Sequence, residues 1–263
     1  MASKLRIGCV PYLNVLPLIR GLETRADVEL VHRVPSELSR LLAAEEIDVG
    51  IVPIVEYLRG VGEAILPGMS ISSRGPVRSV LVFLGCPAAE VETLAADTSS
   101  RSSAALAQVI FRKRYGIDPV QVPCPPDLDA MLSRAHAALL IGDPALAAES
   151  CDHDRLDLGE GWFELTGLPF TFAPWVVRKG APVRELTEIL QAAKAAGVGD
   201  LRSIAVEAAR ERPFSAELIE SYLSVNTNHD LSDDHLRGIE RFATYAEELG
   251  IIPTRREVRV AQP

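Results

Sequence analysis

Four short segments rich in small polar side chains each follow a run of apolar residues that predicts a strand. These segments are residues 11–14, 70–79, 97–104 and 141–146. Hydroxyl groups and the free N–H groups at the start of a helix bind carboxylates and phosphates well. Because ligands of α/β proteins lie beyond the carboxyl ends of parallel strands, we expect the four segments to meet. The pattern predicts a binding site for a small anion.

The segment at residues 97–104, Asp-Thr-Ser-Ser-Arg-Ser-Ser-Ala, gives the sharpest local signal. Six of its eight residues carry short polar side chains, and it stands between a predicted strand and a predicted helix over residues 102–115. It lacks the GxxxxGK[ST] pattern of nucleotide-binding loops. A tract that only caps the helix is the alternative. The candidate ligand-binding residues are Thr98, Ser99, Ser100 and Ser102.

Two further segments supply candidate ligand-binding residues. In residues 11–14, Asn14 is predicted at a helix N-terminus, where an amide either caps the helix or faces a ligand. In residues 70–79, hydroxyls, two arginines and a Gly-Pro turn form a surface suited to an anion, with an ordinary exposed loop as the alternative. The candidates from these segments are Tyr12, Asn14, Ser70, Ser72, Arg78 and Ser79.

Candidates for acid–base chemistry are few. Asp143 is predicted between a strand and a helix, where it caps the helix, orients a ligand hydroxyl or acts as a base. Glu56 is the other carboxylate near the segments. The five histidines lie outside all four segments, and the GxSxG, GxGxxG and HExxH patterns are absent. We therefore predict Asn14, Asp143 and Glu56 as catalytic residues and expect neither a metal nor a cofactor.

The elements that must position these residues alternate between strands and helices. The first part of the chain reads as β-α-β-α-β, including a helix over residues 16–22, which implies parallel strands and right-handed crossovers. A smaller β-α-β block follows, and then a strand over residues 171–178 and three helices. We predict an α/β protein with mixed, mostly parallel sheets in two lobes around a cleft. Lobe one is residues 1–76 and 173–263, and lobe two is residues 77–172.

Composition narrows the class of protein. The 263 residues include 36 acidic and 27 basic side chains, and the net charge of −9 argues against a nucleic-acid partner. We see no secretory leader, and no apolar stretch approaches the roughly 20 residues of a membrane span. The four cysteines are scattered, so a disulfide or zinc framework is not expected. We expect a cytoplasmic protein without a membrane partner.

A resemblance to a known family runs through residues 5–178. It is carried by the stretches VPYLNVLPL, VGIVPIVEYL, SSRGPVRSVLVF, DTSSRSSAALAQVIF, LLIGDPAL and DLGEGWFELTGLPFTFAPWVVR. Together they resemble the menaquinone-biosynthesis family of the futalosine route, in particular its chorismate dehydratase branch. The resemblance implies a type II periplasmic-binding-protein-like fold. The sister branch, which makes 1,4-dihydroxy-6-naphthoate, is an alternative.

The reaction that this resemblance implies is the loss of water from chorismate, which gives 3-[(1-carboxyvinyl)oxy]benzoate. A proton leaves the ring carbon that bears the enolpyruvyl ether, hydroxide leaves the neighbouring carbon, and negative charge develops on the ring carboxylate. Donors in residues 98–103 suit that carboxylate. Ser72, Ser79 and Arg78 suit the second carboxylate, and Asn14 suits the departing hydroxyl.

Three groups are candidates for the base. Asp143 and Glu56 are two of them, and the enolpyruvyl carboxylate of the substrate, which hangs beside the proton, is the third. The absence of histidine from the four segments favours the substrate carboxylate. A solute-binding protein of the same fold, which serves an importer, is the alternative from another class because a fold does not determine a function.

Overall fold

The computed structural model describes residues 4–97 and 101–262. Within those residues the chain forms ten strands. They are β1 (Leu5–Cys9), β2 (Val28–His32), β3 (Val49–Ile51), β4 (Ala64–Ser73), β5 (Val80–Leu84), β6 (Thr93–Asp97), β7 (Val120–Cys124), β8 (Ala137–Ile141), β9 (Arg155–Asp157) and β10 (Phe170–Val177).

Ten α-helices accompany the strands in the described part of the chain. They are α1 (Pro35–Ala43), α2 (Ile54–Leu58), α3 (Arg101–Ile110), α4 (Leu128–Leu132), α5 (Gly142–Ala148), α6 (Leu158–Thr166), α7 (Val183–Val198), α8 (Leu201–Ala208), α9 (Ala216–Ser221) and α10 (Asp233–Glu248). Short 3-10 segments occupy Leu13–Leu18, Leu22–Thr24 and Ala88–Glu90, and π-helical turns occupy Phe111–Tyr115 and Tyr222–Asn226. None of the helices found in residues 4–97 and 101–262 is long and apolar enough to cross a bilayer.

The described strands form two five-stranded mixed sheets. The first has the order β2-β1-β3-β10-β4, and the second has the order β7-β6-β8-β5-β9. In the first sheet β1 is parallel to β2 and β3, whereas β10 is antiparallel to β3 and β4. In the second sheet β6 is parallel to β7 and β8, whereas β5 is antiparallel to β8 and β9. Parallel and antiparallel pairings are therefore equal in number among the described strands, rather than mostly parallel as expected.

The chain passes between the two sheets twice. The first passage lies between β4 and β5, and the second lies between β9 and β10. The strands that follow the two passages, β5 and β10, each pair antiparallel with both of their neighbours. Phe170 already pairs with Ser73 in the first sheet, so β10 begins before residue 173. The lobe boundaries after residues 76 and 172 remain a prediction.

Two local predictions were wrong, and the alternative of an exposed loop does not hold for residues 70–73. These residues lie in β4, at an edge of the first sheet. The stretch misleads because Pro67 and Gly68 are turn residues, but an edge strand tolerates them. The predicted helix over residues 16–22 is a 3-10 segment, Leu13–Leu18, since Pro17 has no N–H to donate. Four α-helices, not three, follow β10 in the described chain.

The open edge of β4 is covered by the C-terminal part of the chain. Ser72 forms a bridge with Asn228, and Ile65 forms one with Val260. The hydroxyl of Ser70 donates to the carbonyl of Asp230 at 2.6 Å. A covered edge cannot pair with another chain. The same contacts hold residues 222–230 against the first sheet. We call these residues the backing segment.

A half-buried carboxylate, Asp157, ties the two passages between the lobes together. It stands at the end of β9, where its oxygens accept hydrogen bonds from the N–H groups of Gly159 at 2.9 Å and Glu160 at 3.1 Å. The same carboxylate accepts from the N–H groups of Val77 at 2.9 Å and Arg78 at 2.7 Å in the other passage. Asp157 is thus both the N-cap of α6 and the anchor of the chain just before β5.

We expect Asp157→Ala to lower the free energy of unfolding by about 3 kcal/mol, because it removes a helix cap and leaves buried N–H groups without an acceptor. Asp127→Ala is the matched control, since Asp127 is an exposed N-cap that accepts only from Ala130 at 2.9 Å. The control should lose about 1 kcal/mol. Urea unfolding measures both losses, and equal losses would contradict the anchoring role of Asp157.

Candidate functional site

The four polar segments meet at a cleft between the lobes. The polar part of its lining consists of Tyr12, Asn14, Ser79, Arg101, Ser102 and Ser103. The apolar part includes Val10, Ile71, Val77, Ile141 and Phe172. Thr98, Ser99 and Ser100, predicted as ligand-binding residues, lie outside the residues that the structure describes.

The ring of Tyr12 in lobe one packs on Gly142 in lobe two. Gly142 has a φ of 62°, and a Cβ there would lie 2.9 Å from the ring. Glycine is required both by this backbone conformation and by the close approach. The contact brings the first and fourth segments together at one wall of the cleft.

Two buried serines present hydroxyl groups to the cleft. Ser79 accepts a hydrogen bond from the hydroxyl of Tyr222 at 2.8 Å, and Ser102 accepts one from the N–H of Val55 at 3.3 Å. A hydroxyl has one hydrogen of its own to donate. Because both oxygens already accept from the protein, both serines are arranged to donate to a ligand.

Asn14 faces the cleft from within the 3-10 segment Leu13–Leu18, so it does not cap that segment; Tyr12 holds the N-cap position. Its Oδ1 is buried and has no hydrogen-bond partner among the described residues.

His229, which lies outside the four polar segments, contacts the backbone of Asn14. Nε2 of His229, in the backing segment, lies 3.0 Å from the backbone oxygen of Asn14. A carbonyl oxygen only accepts, so Nε2 carries the hydrogen. Burial lowers the pKa of His229 to about 4, which keeps the ring neutral near neutral pH.

Glu56 and Arg101 form an ion pair between the lobes. Glu56 is buried, and its two oxygens accept from Arg59 at 2.9 Å and from Arg101 at 2.7 Å. Arg101 lines the cleft, whereas Glu56 is not among the described lining residues. The predicted base is therefore neutralised by two guanidinium groups, and its evident role is to hold Arg101.

Both carboxylate oxygens of Asp143 also accept hydrogen bonds from neighbouring groups. One oxygen accepts from the N–H of Leu13 at 3.1 Å, and the other accepts from Nε of Arg212 at 2.9 Å. Arg212 donates in addition to the carbonyl of Pro11 at 3.2 Å. Asp143 makes no capping bond at α5, whose N-cap is Ile141. Its contacts join lobe two to the first polar segment.

Three predicted ligand-binding residues do not appear in the described lining of the cleft. Ser70 and Ser72 are buried in β4 and hydrogen-bond each other at 2.6 Å. Arg78 has a φ of 61°, a conformation that non-glycine residues rarely adopt. It turns its guanidinium to Glu149, with two bonds of 2.8 and 2.5 Å.

Sequence reasoning missed Tyr222 and His229. Both lie in the backing segment, far along the chain from the residues that they contact. Tyr222 reads as a core aromatic of an amphipathic helix, and it is 1% exposed. In the sequence they are only a tyrosine and a histidine within a C-terminal stretch that is predicted to be mostly helical. That pattern does not indicate a cleft.

We expect His229 to make stability fall in acid. Its pKa is lowered from 6.5 to about 4 in the folded chain, so the stability it contributes is present above pH 6.5 and is lost as pH falls toward 4. The loss amounts to about 3 kcal/mol. His229→Gln, which keeps a donor but does not titrate, should show a correspondingly smaller fall in urea unfolding between pH 7 and pH 4.5. Parallel pH profiles for the two proteins would contradict the assignment.

Comparison with known proteins gives the chain its relatives. A sequence model of a family described as menaquinone biosynthesis matches residues 5–248. The chain is 30% identical to a chorismate dehydratase of Thermus thermophilus, over 93% of this chain and 95% of that protein. It is 26% identical to a chorismate dehydratase of Campylobacter jejuni, over 93% of this chain and 98% of that protein.

A solved structure confirms the fold. The aliphatic sulphonate-binding protein SsuA of Escherichia coli superposes with a TM-score of 0.69 at 18% identity, over 100% of this chain and 93% of that one. The two-lobed, periplasmic-binding-protein-like architecture predicted from the sequence is therefore correct. With residues 5–248 matched and 30% identity over nearly the whole of a curated relative, the chain belongs to the menaquinone biosynthesis family.

Proposed function

We propose that this chain is a chorismate dehydratase, a carbon–oxygen lyase that removes water from chorismate and forms 3-[(1-carboxyvinyl)oxy]benzoate. The observation that carries the proposal is the pair of cleft hydroxyls, Ser79 and Ser102, each of which already accepts from the protein. Both therefore donate to whatever binds there. The family match and the two chorismate dehydratases among the relatives support the same activity.

The charge of the cleft suits a dianion held mainly by neutral donors. Arg101 is the cationic side chain among the described lining residues, and it is already paired with Glu56. Hydroxyls and the N–H groups at the start of α3 supply the remaining donors, helped by the helix dipole. The net charge of −9 is thus a property of the whole surface, and donors are concentrated locally where two carboxylates must be met.

The arrangement places donors where charge develops. When the proton leaves the ring carbon that bears the ether, negative charge spreads onto the ring carboxylate. Ser102, at the start of α3 beside Arg101, donates to that carboxylate, and a donor fixed in advance stabilises the transition state more than the ground state. Ser79, on the first passage between the lobes, donates to the enolpyruvyl carboxylate.

Asn14 binds the hydroxyl that departs. Its Oδ1 has no partner among the described residues, so it accepts the hydrogen of the substrate hydroxyl and orients the carbon–oxygen bond. An amide hydrogen of Asn14 is available to the oxygen as the bond breaks. His229 fixes the backbone of Asn14 at 3.0 Å and so keeps the amide in place.

The base is the enolpyruvyl carboxylate of the substrate. Both protein carboxylates near the site are already bound to arginine, Asp143 to Arg212 and Glu56 to Arg59 and Arg101. The substrate carboxylate takes the proton from the ring carbon, the electron pair of that bond enters the ring, and the neighbouring carbon–oxygen bond breaks. The released hydroxide takes that same proton from the carboxyl group and becomes water, the carboxylate is regenerated, and the ring becomes aromatic.

The activity is tested by mixing chorismate with the protein and following the loss of chorismate and the rise of a new aromatic absorbance. We expect wild-type turnover, and we expect Ser79→Ala to lower kcat by about 10²–10³-fold, the usual cost of removing one donor to a developing anion. A wild-type kcat in Ser79→Ala would refute the role of Ser79.

Ser39→Ala is the matched control for this variant. Ser39 is also buried, and its hydroxyl donates to the carbonyl of Pro35 one turn earlier in α1. Pro35 borders the cleft, but Ser39 is not among the described lining residues. Its turnover should equal that of the wild type. A large loss in Ser39→Ala would show that removal of any buried hydroxyl disturbs the enzyme.

Asp143→Asn and Glu56→Gln test which group is the base. With substrate-assisted elimination, kcat should fall by less than tenfold, whereas loss of a general base lowers rates by about 10²–10⁴-fold. KM should rise in both, because Arg212 and Arg101 lose their charged partners. A loss in kcat above about 10³-fold in either folded variant would assign the base to that carboxylate.

A solute-binding protein is the second candidate, and the likeness to SsuA favours it. The fold serves both functions, so the likeness alone does not choose between them. The turnover assay separates the two. Saturable binding of chorismate without formation of an aromatic product would identify a binding protein.

A further inference from the structure

We propose that closure of the lobes aims the hydroxyl hydrogens of Ser79 and Ser102 at the substrate, with Tyr222 as the positioning residue for Ser79. In this arrangement the oxygen of each serine accepts from a donor of the opposite lobe. The proposal rests on the function proposed above and deepens it, because it couples binding of a dicarboxylate to closure. Tyr222 itself is not among the described lining residues of the cleft.

The two serines belong to lobe two, and their donors belong to lobe one. Ser79 directly precedes β5 and Ser102 lies in α3 after β6, and both strands are in the second sheet. The hydroxyl of Tyr222, in the backing segment, donates to Oγ of Ser79 at 2.8 Å. The N–H of Val55, in α2 after β3 of the first sheet, donates to Oγ of Ser102 at 3.3 Å. We call these two hydrogen bonds the lobe-crossing bonds, since they form only while the lobes are together.

The backbone of Ser79 is fixed within lobe two, so that only its hydroxyl depends on the other lobe. Its carbonyl accepts from the N–H of Gly142 at 2.7 Å, and the N–H of the preceding Arg78 donates to Asp157 at 2.7 Å. A serine hydroxyl on a fixed backbone still rotates to suit its partners. The hydrogen from Tyr222 occupies the side of Oγ that faces the backing segment, and the hydrogen of Ser79 therefore points into the cleft.

Both lobe-one donors keep a hydrogen available for this purpose. The N–H of Val55 lies in the first turn of α2, where a helix provides no acceptor for its own N–H groups. The side chain of Tyr222 is 1% exposed, and burial raises the pKa of its hydroxyl above the usual value of 10.0. The phenol consequently stays protonated and donates to Ser79 at neutral pH.

Closure of an empty cleft carries a cost that an anion removes. Each serine has one hydrogen, and no hydrogen bond among the described residues uses it. Ser79 and Ser102 are both buried in the closed arrangement, and a buried donor without an acceptor is costly. Two carboxylates supply the two missing acceptors. A dicarboxylate therefore favours closure, and closure in turn aims the donors that bind it.

Tyr222→Phe tests the bond to Ser79, because phenylalanine keeps the ring and removes only the hydroxyl. We expect kcat for chorismate to fall by about tenfold, since Ser79 loses the donor that directs its hydrogen. In a Ser79→Ala background the same change should lower kcat no further, because Tyr222 acts through that hydroxyl. A merely structural role would lower kcat by the same factor in both backgrounds, which would overturn the proposal.

Tyr57→Phe is the matched control. Tyr57 is also fully buried, and its hydroxyl accepts from the N–H of Arg259 at 2.9 Å and donates to the carbonyl of the same residue at 3.4 Å. It is not among the described lining residues. Turnover should be unchanged in this variant. An equal loss in Tyr57→Phe would show that removal of any buried phenol slows the reaction, and it would overturn the role of Tyr222.

The backbone amide of Val55 reports the other lobe-crossing bond and needs no substitution. We expect excess chorismate to slow hydrogen exchange of the Val55 N–H by about tenfold in the wild type, as measured by NMR. The N–H of Glu56 is the control, because it donates to the carbonyl of Pro53 within lobe one at 2.9 Å. Its exchange should not change. Exchange of the Val55 N–H that is independent of chorismate would overturn the coupling, and this measurement decides if Tyr222→Phe does not fold.

Ser102→Ala completes the exchange experiment. The variant lacks the oxygen that accepts from Val55, so chorismate should no longer slow exchange of the Val55 N–H. Slowing of the same size as in the wild type would assign the protection to some other contact and would overturn the lobe-crossing bond.

The failures of the two proposals are distinguishable. If the wild type forms no aromatic product while chorismate slows exchange at Val55 and not at Glu56, the dehydratase activity is refuted and the coupling stands. If the wild type turns over chorismate while exchange at Val55 does not respond, the activity stands and the coupling is refuted. If chorismate has neither effect, both proposals are refuted.

Discussion

The carboxylate of Asp157 is the constraint on which the arrangement of the cleft depends. The chain must pass between the lobes twice, and each passage leaves backbone N–H groups without a strand partner. Asp157 accepts from both passages, including the N–H of Arg78 at 2.7 Å. This bond holds the strained φ of 61° at Arg78, and the next residue is Ser79. The position of the Ser79 hydroxyl in the cleft therefore depends on Asp157, whose carboxylate is also bound to the start of α6.

A second constraint is electrostatic, and it explains why the predicted charged residues are absent from the lining. A free charge buried in a closed cleft costs far more than a hydroxyl. Arg78 is paired with Glu149, and Arg212 is paired with Asp143, so both cations serve to connect elements. The groups left for a ligand are mainly neutral donors. Donors of this kind bind an anion without the desolvation cost that two opposite charges would add.

The sequence predicted the positions of side chains where these follow from the order of neighbouring strands and helices. Polar residues after predicted strands came together as expected, because carboxyl ends of neighbouring strands share an edge. Tyr12, Asn14, Ser79 and Ser102 line the cleft, and their contact with a ligand stays a prediction. The backing segment could not be found, since its pairing with β4 joins Ser72 to Asn228, far along the chain. Glu56 and Asp143 were predicted as bases for the same reason, because Arg101 and Arg212 pair with them from distant elements.

The same architecture serves a sulphonate-binding protein, so something beyond the fold must convert binding into turnover. Donors aimed at carboxylates are needed by a receptor and an enzyme alike, and uniform binding does not accelerate chemistry. In the proposed reaction, the feature of this cleft that a receptor does not need is the buried acceptor of Asn14. A substrate hydroxyl would satisfy this acceptor and would leave it unsatisfied on departing, so an acceptor of this kind favours the reacting state over the product. Because His229 contacts the backbone of Asn14 from the backing segment, the C-terminal part of the chain supports the site although none of the backing-segment residues is among the described lining.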